Sequence, residues 1–417
     1  MRILAVISAL SLAGTALADP PGAHWGRVPG LGADMTASTG TTAGLQTWTT
    51  GFRGRALVQG ISAAVFDAAM AGLEYLPDVV KKDRNQNEFT KTIWDYLDTA
   101  VSDHRITSGK AALAKHADLL ARIEAAYGVD KEVVLAIWGL ESAYGAVRGD
   151  TPTIEALATL AYDGRRAAFF EAELIAALQI LQSGDVTAAN MTGSWAGAMG
   201  HTQFMPTSYL ALAVDFTADG KRNIWGDDPS DALASTAAYL ASFGWKNGGL
   251  WGVEVVLPKT FDYALSGERV QKPVADWQAL GIRTATGENL PDHGLASILL
   301  PGGARGAAFL IFANFQVIEK YNTADAYVIA VGHLADRIKG GPAIAAPWPR
   351  DLRALSFAER VEIQQRLLAA GFSPGGVDGK VGPLTIAAVK AFQLAKGIAP
   401  DGYPSLDILT RLRQPPD

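Results

Sequence analysis

Between residues 61 and 244, apolar positions recur mostly at three- and four-residue intervals, the spacing that lays one stripe along a helix. Within residues 109–127, Leu113, Leu120, Ile123 and Tyr127 share such a stripe, with Ser108 placed to cap its start and Gly128 to stop it. A second helix is predicted over 131–144, after Asp130 and before Gly145. A third, over 165–182, aligns Phe170, Leu174, Leu178 and Leu181 and closes at Gly184. Short β patterns come only later, at 252–257, 297–300 and 307–312, the last two joined by the glycine-rich stretch 301–306. Helical spacing resumes over 324–338.

Two stretches break this rhythm. Residues 19–50 are rich in Gly, Thr, Ser and Pro with little periodicity and are predicted to form a mobile arm. Residues 339–351, KGGPAIAAPWPRD, combine three prolines and two glycines and read as a linker. Beyond it, Ser356 and Glu359 form a capping box that opens a helix through Leu368, ended by Gly371. Another helix is predicted from Pro383 to Leu394, and the pairs Asp378-Gly379 and Asp401-Gly402 mark turns. The domains expected are therefore 51–338 and 352–413, preceded by a leader at 1–18 and the arm at 19–50.

The leader is recognisable as Arg2, an apolar stretch over 3–12 and a small-residue close at Ala16-Leu17-Ala18, the form of a cleavable secretory signal. Its apolar stretch is too short to span a bilayer, so no transmembrane anchor is expected. The full chain carries 36 Lys+Arg against 42 Asp+Glu, a net charge of −6, and removal of Arg2 takes this to −7. An acidic chain of this kind is a poor partner for nucleic acid. There are no cysteines, which excludes disulfides and thiolate chemistry. The histidines, at 24, 104, 116, 201, 293 and 333, show no zinc-binding spacing.

Candidate chemistry centres on Glu141. On the helix over 131–144, Val134, Trp138 and Glu141 fall on one face, so a carboxyl group interrupts an apolar stripe. Burial beside an indole would favour the neutral acid, the state needed to hand a proton to a leaving oxygen. A salt-bridged surface glutamate is the alternative that position alone leaves open.

The segment IWGLESAYG at 137–145, the stretch 156–162 and SWAGAMGHTQFMPTSY at 194–209 together resemble the lytic murein transglycosylase B family. The resemblance continues through Asp231–Ser235, Tyr239, Asn314-Phe315, Lys320-Tyr321-Asn322 and Tyr327, covering roughly residues 66–338. The tail, with Asp378–Gly382, Thr385, Ala388, Phe392-Gln393 and Asp401-Gly402, is similar to the small helical peptidoglycan-binding domain. The resemblance implies an α+β, mainly α fold: a lysozyme-like catalytic domain with small β insertions, followed by the helical binding domain. It implies a periplasmic lytic transglycosylase acting on peptidoglycan glycan strands. The bond cut is the β-1,4 link between N-acetylmuramic acid and N-acetylglucosamine, with formation of a 1,6-anhydro sugar. One carboxyl group then serves as acid and afterwards as base, and Glu141 matches that residue. Ordinary glycosidases place two carboxyl groups about 5 to 9.5 Å apart, and substrate-assisted enzymes are exceptions.

Other positions carry over in the same way. Ser194 and Gln203 match residues lining the saccharide cleft, with turn-building as their alternative role. Tyr239, Tyr321, Asn322 and Tyr327 match cleft positions, and Tyr96 is a further candidate. Phe169 stands where the family can have tyrosine, which removes a hydroxyl. Asp215, Thr217, Asp219 and Gly220, with Lys221, reproduce the opening of a calcium loop such as related enzymes have. Its twelfth position is Gly226, so Asp227, Asp228 or Asp231 would have to close the shell, and a metal-free Asx turn is the alternative. No cofactor is expected to be required, and calcium would be structural. Two rival functions remain: a hydrolytic muramidase with the same acid, and a non-catalytic wall-binding scaffold.

Overall fold

A computed structural model describes residues 40–84 and 91–414. The leader and most of the predicted arm lie outside the described residues. Helix α1 (Thr42–Val58) occupies the rest of that arm and overturns the mobile reading for 42–50. Thr41 caps it by accepting the Gly44 N–H, and Leu45, Phe52 and Ala56 are buried along one side. Its threonines do not break it because Thr47 and Thr49 donate their hydroxyls to carbonyls four residues back. Short helices α2 (Ala63–Ala69), α3 (Pro77–Arg84) and α4 (Ile93–Ala100) follow.

The single helix expected over 109–127 is two helices, α5 (Asp103–Lys115) and α6 (Ala117–Tyr127), with His116 at the break. Ser102 is the cap of α5, and Ser108 lies inside it. The bend has a packing cause: α5 lies against helices later in the chain that include α14 (Asp325–Lys339), whereas α6 lies against α11 (Ser230–Ser242). Both flank α7 (Lys131–Ser142), which is buried on every side through Val133, Val134, Leu135, Ala136, Ile137 and Trp138. It ends two residues earlier than its periodicity suggests, because Ala143 and Tyr144 turn into the left-handed region before Gly145.

Strand β1 (Thr151–Pro152) pairs with β2 (Thr192–Gly193) around the packed pair α8 (Thr153–Asp163) and α9 (Ala167–Ser183), and α10 (Pro206–Leu212) lies on α9. The three expected β segments appear as β3 (Gly252–Val256), β6 (Leu295–Leu299) and β7 (Ala308–Ile311). With β4 (Lys272–Pro273) and β5 (Arg283–Thr284) they make an antiparallel sheet ordered β4-β6-β7-β3-β5. Helix α12 (Val274–Ala279) covers it, so that Val255, Trp277, Ile298, Leu310 and Phe312 form a small separate core. The chain then returns to the main core through α13 (Ala313–Tyr321) and α14.

Residues 340–355 lack regular structure, yet they are not slack. The N–H groups of Ala345 and Ala346 donate to the Glu254 carboxylate at 2.8 and 2.7 Å. Trp348 lies against Trp94 with ring centroids 6.2 Å apart, and Arg350 forks onto Asp98. The tail consists of α15 (Phe357–Ala369), α16 (Pro383–Ala395) and a third helix the sequence reading missed, α17 (Leu406–Arg413). Ile363, Leu367, Val389, Phe392, Ile408 and Leu409 form its core. The Ser356–Glu359 capping box is present. Each Asp-Gly turn is held by a glutamine: Gln364 accepts from Asp378 and Gly379 N–H, and Gln393 accepts from Gly402 N–H while donating to Asp401.

The tail is docked on the sheet region. Lys390 Nζ donates to the carbonyls of Tyr263 and Ser266, at 3.1 and 2.5 Å, and to Ser266 Oγ at 2.8 Å. Asp401 accepts from Ala304 N–H at 2.8 Å. A Lys390→Ala variant should lose this anchorage, giving a larger radius of gyration by X-ray scattering and faster proteolysis within 340–355, whereas unchanged scattering would mean that the remaining contacts suffice.

Candidate functional site

Glu141 sits in the last turn of α7, half-buried, with Val134 and Trp138 buried beneath it on the same stripe. Tyr327, on the packed helix α14, donates its hydroxyl to Glu141 Oε1 at 2.6 Å. That hydroxyl is held well above the usual phenol range, first by burial and then by the nearby Glu141 charge. It therefore stays a hydrogen-bond donor at any ordinary pH, and the carboxyl group is oriented by a partner that does not titrate.

The turn around residues 193–204 forms the adjoining wall. Gly200 has φ of +70°, and a side chain there would run into the Ile224 carbonyl, so glycine is required. Ser194 Oγ accepts from Ala196 and Ala198 N–H at 3.3 and 3.1 Å. It builds the turn and keeps its hydroxyl hydrogen to donate. Gln203, itself left-handed with φ of +54°, donates Nε2 to Arg148 O and Gly200 O at 3.0 and 2.8 Å. Both amide hydrogens are thus engaged, and Oε1 is the atom able to accept from a ligand N–H or O–H.

Tyr239 and Tyr321 differ from what the resemblance suggests. Tyr321 donates its hydroxyl to Thr202 O at 2.6 Å and Tyr239 donates to Lys320 O at 2.5 Å. Their rings lie 5.0 Å apart, each also against Phe204, and are 8% and 3% exposed. Both rings therefore support the wall from behind, with hydroxyls committed to backbone. Asn322 closes α13, is partly exposed, and accepts from Ala324 N–H at 3.0 Å. Tyr96 on α4 is half-buried and close enough to Tyr327 to oppose its ionisation. Phe169 packs on Phe170 and under Arg166.

The aspartate-rich loop is closed by its own backbone. Asp215 accepts from Asp219 and Gly220 N–H at 3.2 and 2.8 Å, and Asp219 accepts from Lys221 N–H at 2.9 Å. Thr217 donates its hydroxyl to Asp215. Asp231 spends both oxygens on the N–H groups of Phe216, Thr217 and Asn223. Asp228 is engaged by Ser230, and Asp227 is exposed and faces Arg148. Asp231 has both oxygens committed, Asp228 has one held by Ser230 and Asp227 reaches Arg148, so an Asx-turn loop accounts for the hydrogen bonds present.

Among the described residues, carboxylates do converge elsewhere: Glu268, Glu319 on α13 and Asp325 at the start of α14 bring oxygens within 4.8 Å of one another. Burial and mutual repulsion raise Glu319 to about 8 and Asp325 to about 7, and Glu268, which shares a hydrogen bond with Glu319, is raised too. This cluster borders the segment that carries Asn322 and Tyr327. Its members come from a turn and two helices, so no spacing in the sequence announces it. His201 was equally hidden: it is buried against Trp138, and zinc-type spacing is the wrong signal for it.

Comparison with known proteins bears on this geometry. Residues 44–336 match the family model of the transglycosylase SLT domain, and residues 358–412 match that of a peptidoglycan binding domain. The membrane-bound lytic murein transglycosylase B of Escherichia coli (strain K12) is 33% identical over 245 residues, which span 58% of this chain and 66% of that protein, just under two thirds of its length. SltB3 from Pseudomonas aeruginosa, solved in complex with NAG-anhNAM-pentapeptide, is 50% identical with a TM-score of 0.86, covering 89% of this chain and 99% of that one. Escherichia coli Slt35, solved in complex with calcium, is 29% identical with a TM-score of 0.60, covering 72% and 93%.

Two measurements follow from the loop and the cluster. Because backbone N–H groups already satisfy the loop carboxylates, a chelator should leave the melting curve unchanged, and a fall reversed by added calcium would reinstate the metal. The cluster gives a pH dependence of definite sign. Acids whose folded pKa is raised stabilise the fold most below their unfolded value near 4.5, and that contribution is lost as pH rises through about 8. The melting temperature should thus decline between pH 5 and 8, and Glu319→Gln should flatten that decline; an equal slope in the variant would remove the cluster as its source.

Proposed function

Because the chain belongs to the transglycosylase SLT family, we propose that it is a lytic transglycosylase of peptidoglycan that cleaves the N-acetylmuramic acid β-1,4 N-acetylglucosamine bond. The observation that carries the reading is the orientation of the Glu141 carboxyl by the buried Tyr327 hydroxyl, within the fold that the SLT relatives share. SltB3 has been solved with an anhydro-muropeptide, which supports the anhydro product for this chain.

In this reading protonated Glu141 gives its proton to the glycosidic oxygen as the C1–O4 bond breaks, and the N-acetylglucosamine side leaves with a free 4-hydroxyl. The acetamido oxygen of the muramic residue closes on C1. Glu141, now a carboxylate, takes the proton from the 6-hydroxyl as that oxygen displaces the acetamido group from C1, closing the 1,6-anhydro ring and regenerating the acid. No water is consumed and no second carboxylate is needed. Tyr327 steadies Oε1 in both charge states. Gln203 Oε1 can accept the acetamido N–H, Ser194 and Asn322 can address sugar oxygens, and Tyr96 flanks the cleft. Tyr239 and Tyr321 hold the wall in place.

The working arrangement is a catalytic unit through residue 338, the segment 339–351, and a wall-binding unit over 352–413. We start the catalytic unit within α1 rather than at 51, a reading that the family match from residue 44 supports. The leader at 1–18 would export the protein to the periplasm. No helix among the described residues is long and apolar enough to cross a membrane. Calcium is not needed for the reaction as drawn.

Glu141→Gln keeps the shape and removes the transferable proton. Cleavage of purified sacculi should fall by at least about 10² to 10⁴, with the melting temperature retained. Mass analysis of wild-type digests should show products lighter by one water than hydrolysis would give. Hydrated products would make the protein a muramidase, and intact sacculi would leave it a binding scaffold.

A further inference from the structure

His201 lies under the last turn of α7 and is 3% exposed. Four hydrogen bonds fix it. Its carbonyl accepts from Ser142 Oγ at 2.5 Å, and its own N–H donates to Ile224 O at 3.0 Å. Its Nδ1 faces Trp138 Nε1 at 3.1 Å, and its Nε2 faces Gly226 O at 2.7 Å and Arg148 Nη1 at 3.2 Å. An indole N–H can only donate, so Nδ1 is bare. At Nε2 the Gly226 carbonyl is nearer than Arg148 and can only accept, while Arg148 Nη1 is already spent on Trp225 O and Gly226 O, which assigns the one ring proton to Nε2. Trp138 and His201 also meet as rings 5.7 Å apart, edge to face.

The ring packs so closely on the turn after the acid that a Cβ on Gly145 would come within 2.7 Å of it. Arg148 covers the far edge, donating to Trp225 O and Gly226 O, with Asp227 beyond. His201 thus joins the loop over 222–228 to two residues that bracket Glu141: Trp138 three positions before it and Ser142 one after. This is where α7 stops: Ala143 and Tyr144 turn left-handed and close the helix with N–H bonds to Gly139 O and Trp138 O, and the side-chain bonds to His201 add to that cap from outside the helix.

We propose that His201 is a positioning residue for Glu141, setting the rotation of the last turn of α7 through its paired bonds to Trp138 and Ser142. The role rests on Glu141 being the reacting acid. It does not require His201 to touch substrate or to change protonation. A displacement of the carboxyl by about 1 Å is enough to cost on the order of 10²-fold in rate.

The test compares the full-length wild type with His201→Phe and His201→Gln on soluble muropeptide chains, reading kcat, KM and melting temperature. Phenylalanine keeps the ring and loses both side-chain bonds. Glutamine can accept from Trp138 and donate to Gly226. His201→Phe should lower kcat by roughly 10- to 100-fold with KM little changed, and His201→Gln should recover most of the loss. Wild-type kcat in His201→Phe overturns the proposal, even if its melting temperature falls, and so does a Gln variant as slow as Phe. Should His201→Phe not fold, Trp138→Phe removes the indole donor alone. Its loss in kcat should be non-additive with that of His201→Gln, and additive losses overturn the proposal. Rates are read as bonds cut, whatever the product. Failure of the lytic reading therefore shows in the wild-type product mass, and failure of this proposal shows only in the variants.

Discussion

The carboxyl group proposed as the acid, Glu141, rises from a helix that has no polar side. Helix α7 is packed against α5, α6, α11 and α14, and every residue from Glu132 to Gly139 is buried. Such a helix cannot adjust: a shift along its axis would disturb packing on all flanks at once, where interiors are as dense as crystals. The rest of the catalytic unit is arranged around that rigidity. The acid is placed in the last turn, where the helix meets the surface, and the chain leaves through two left-handed residues instead of continuing into solvent. The hydroxyl that steadies it comes from the neighbouring helix, which is held by the same core.

Around this fixed point, polar groups do double service. Ser194 and Gln203 spend part of their hydrogen-bonding capacity on the turn that contains them and retain one function each for a ligand. Turn-building at these positions is therefore compatible with the substrate contact proposed for them. The tyrosines divide differently. Tyr327 points its hydroxyl at the acid, while Tyr239 and Tyr321 give theirs to carbonyls, so residues of one type serve both orientation and backing.

Much of this was legible in the sequence, and the failures have physical causes. Strongly periodic helices over 131–144, 165–182 and 324–338 were found because burial imposes the period. Helix α1 was hidden by threonines and glycines, whose unfavourable propensity is offset by the burial of Leu45, Phe52 and Ala56. The α5–α6 break was hidden because His116 continues an apparent stripe although the two helices pack on different neighbours. Helix α17, eight residues long, is too short to show a period. Glu141 stood out as a carboxylate on an apolar face. Its partner Tyr327, 186 residues away, could be placed near it only by resemblance. The acidic cluster drew on two helices and a turn far from them in sequence, and could not be seen at all.

The docked tail changes the thermodynamics of a two-point grip on the wall. A slack tether raises local concentration but leaves conformational freedom to be surrendered at each binding event. Here the segment from 340 to 355 is pinned by Glu254, Trp94 and Asp98, and Lys390 is seated in the sheet region, so that freedom is already gone before substrate arrives. A second contact made by the tail then carries little added entropic penalty, as preorganisation requires. The same rigidity makes the molecule selective for shape: a strand can occupy both surfaces only if its own curvature and spacing match the interval the fold has set between them.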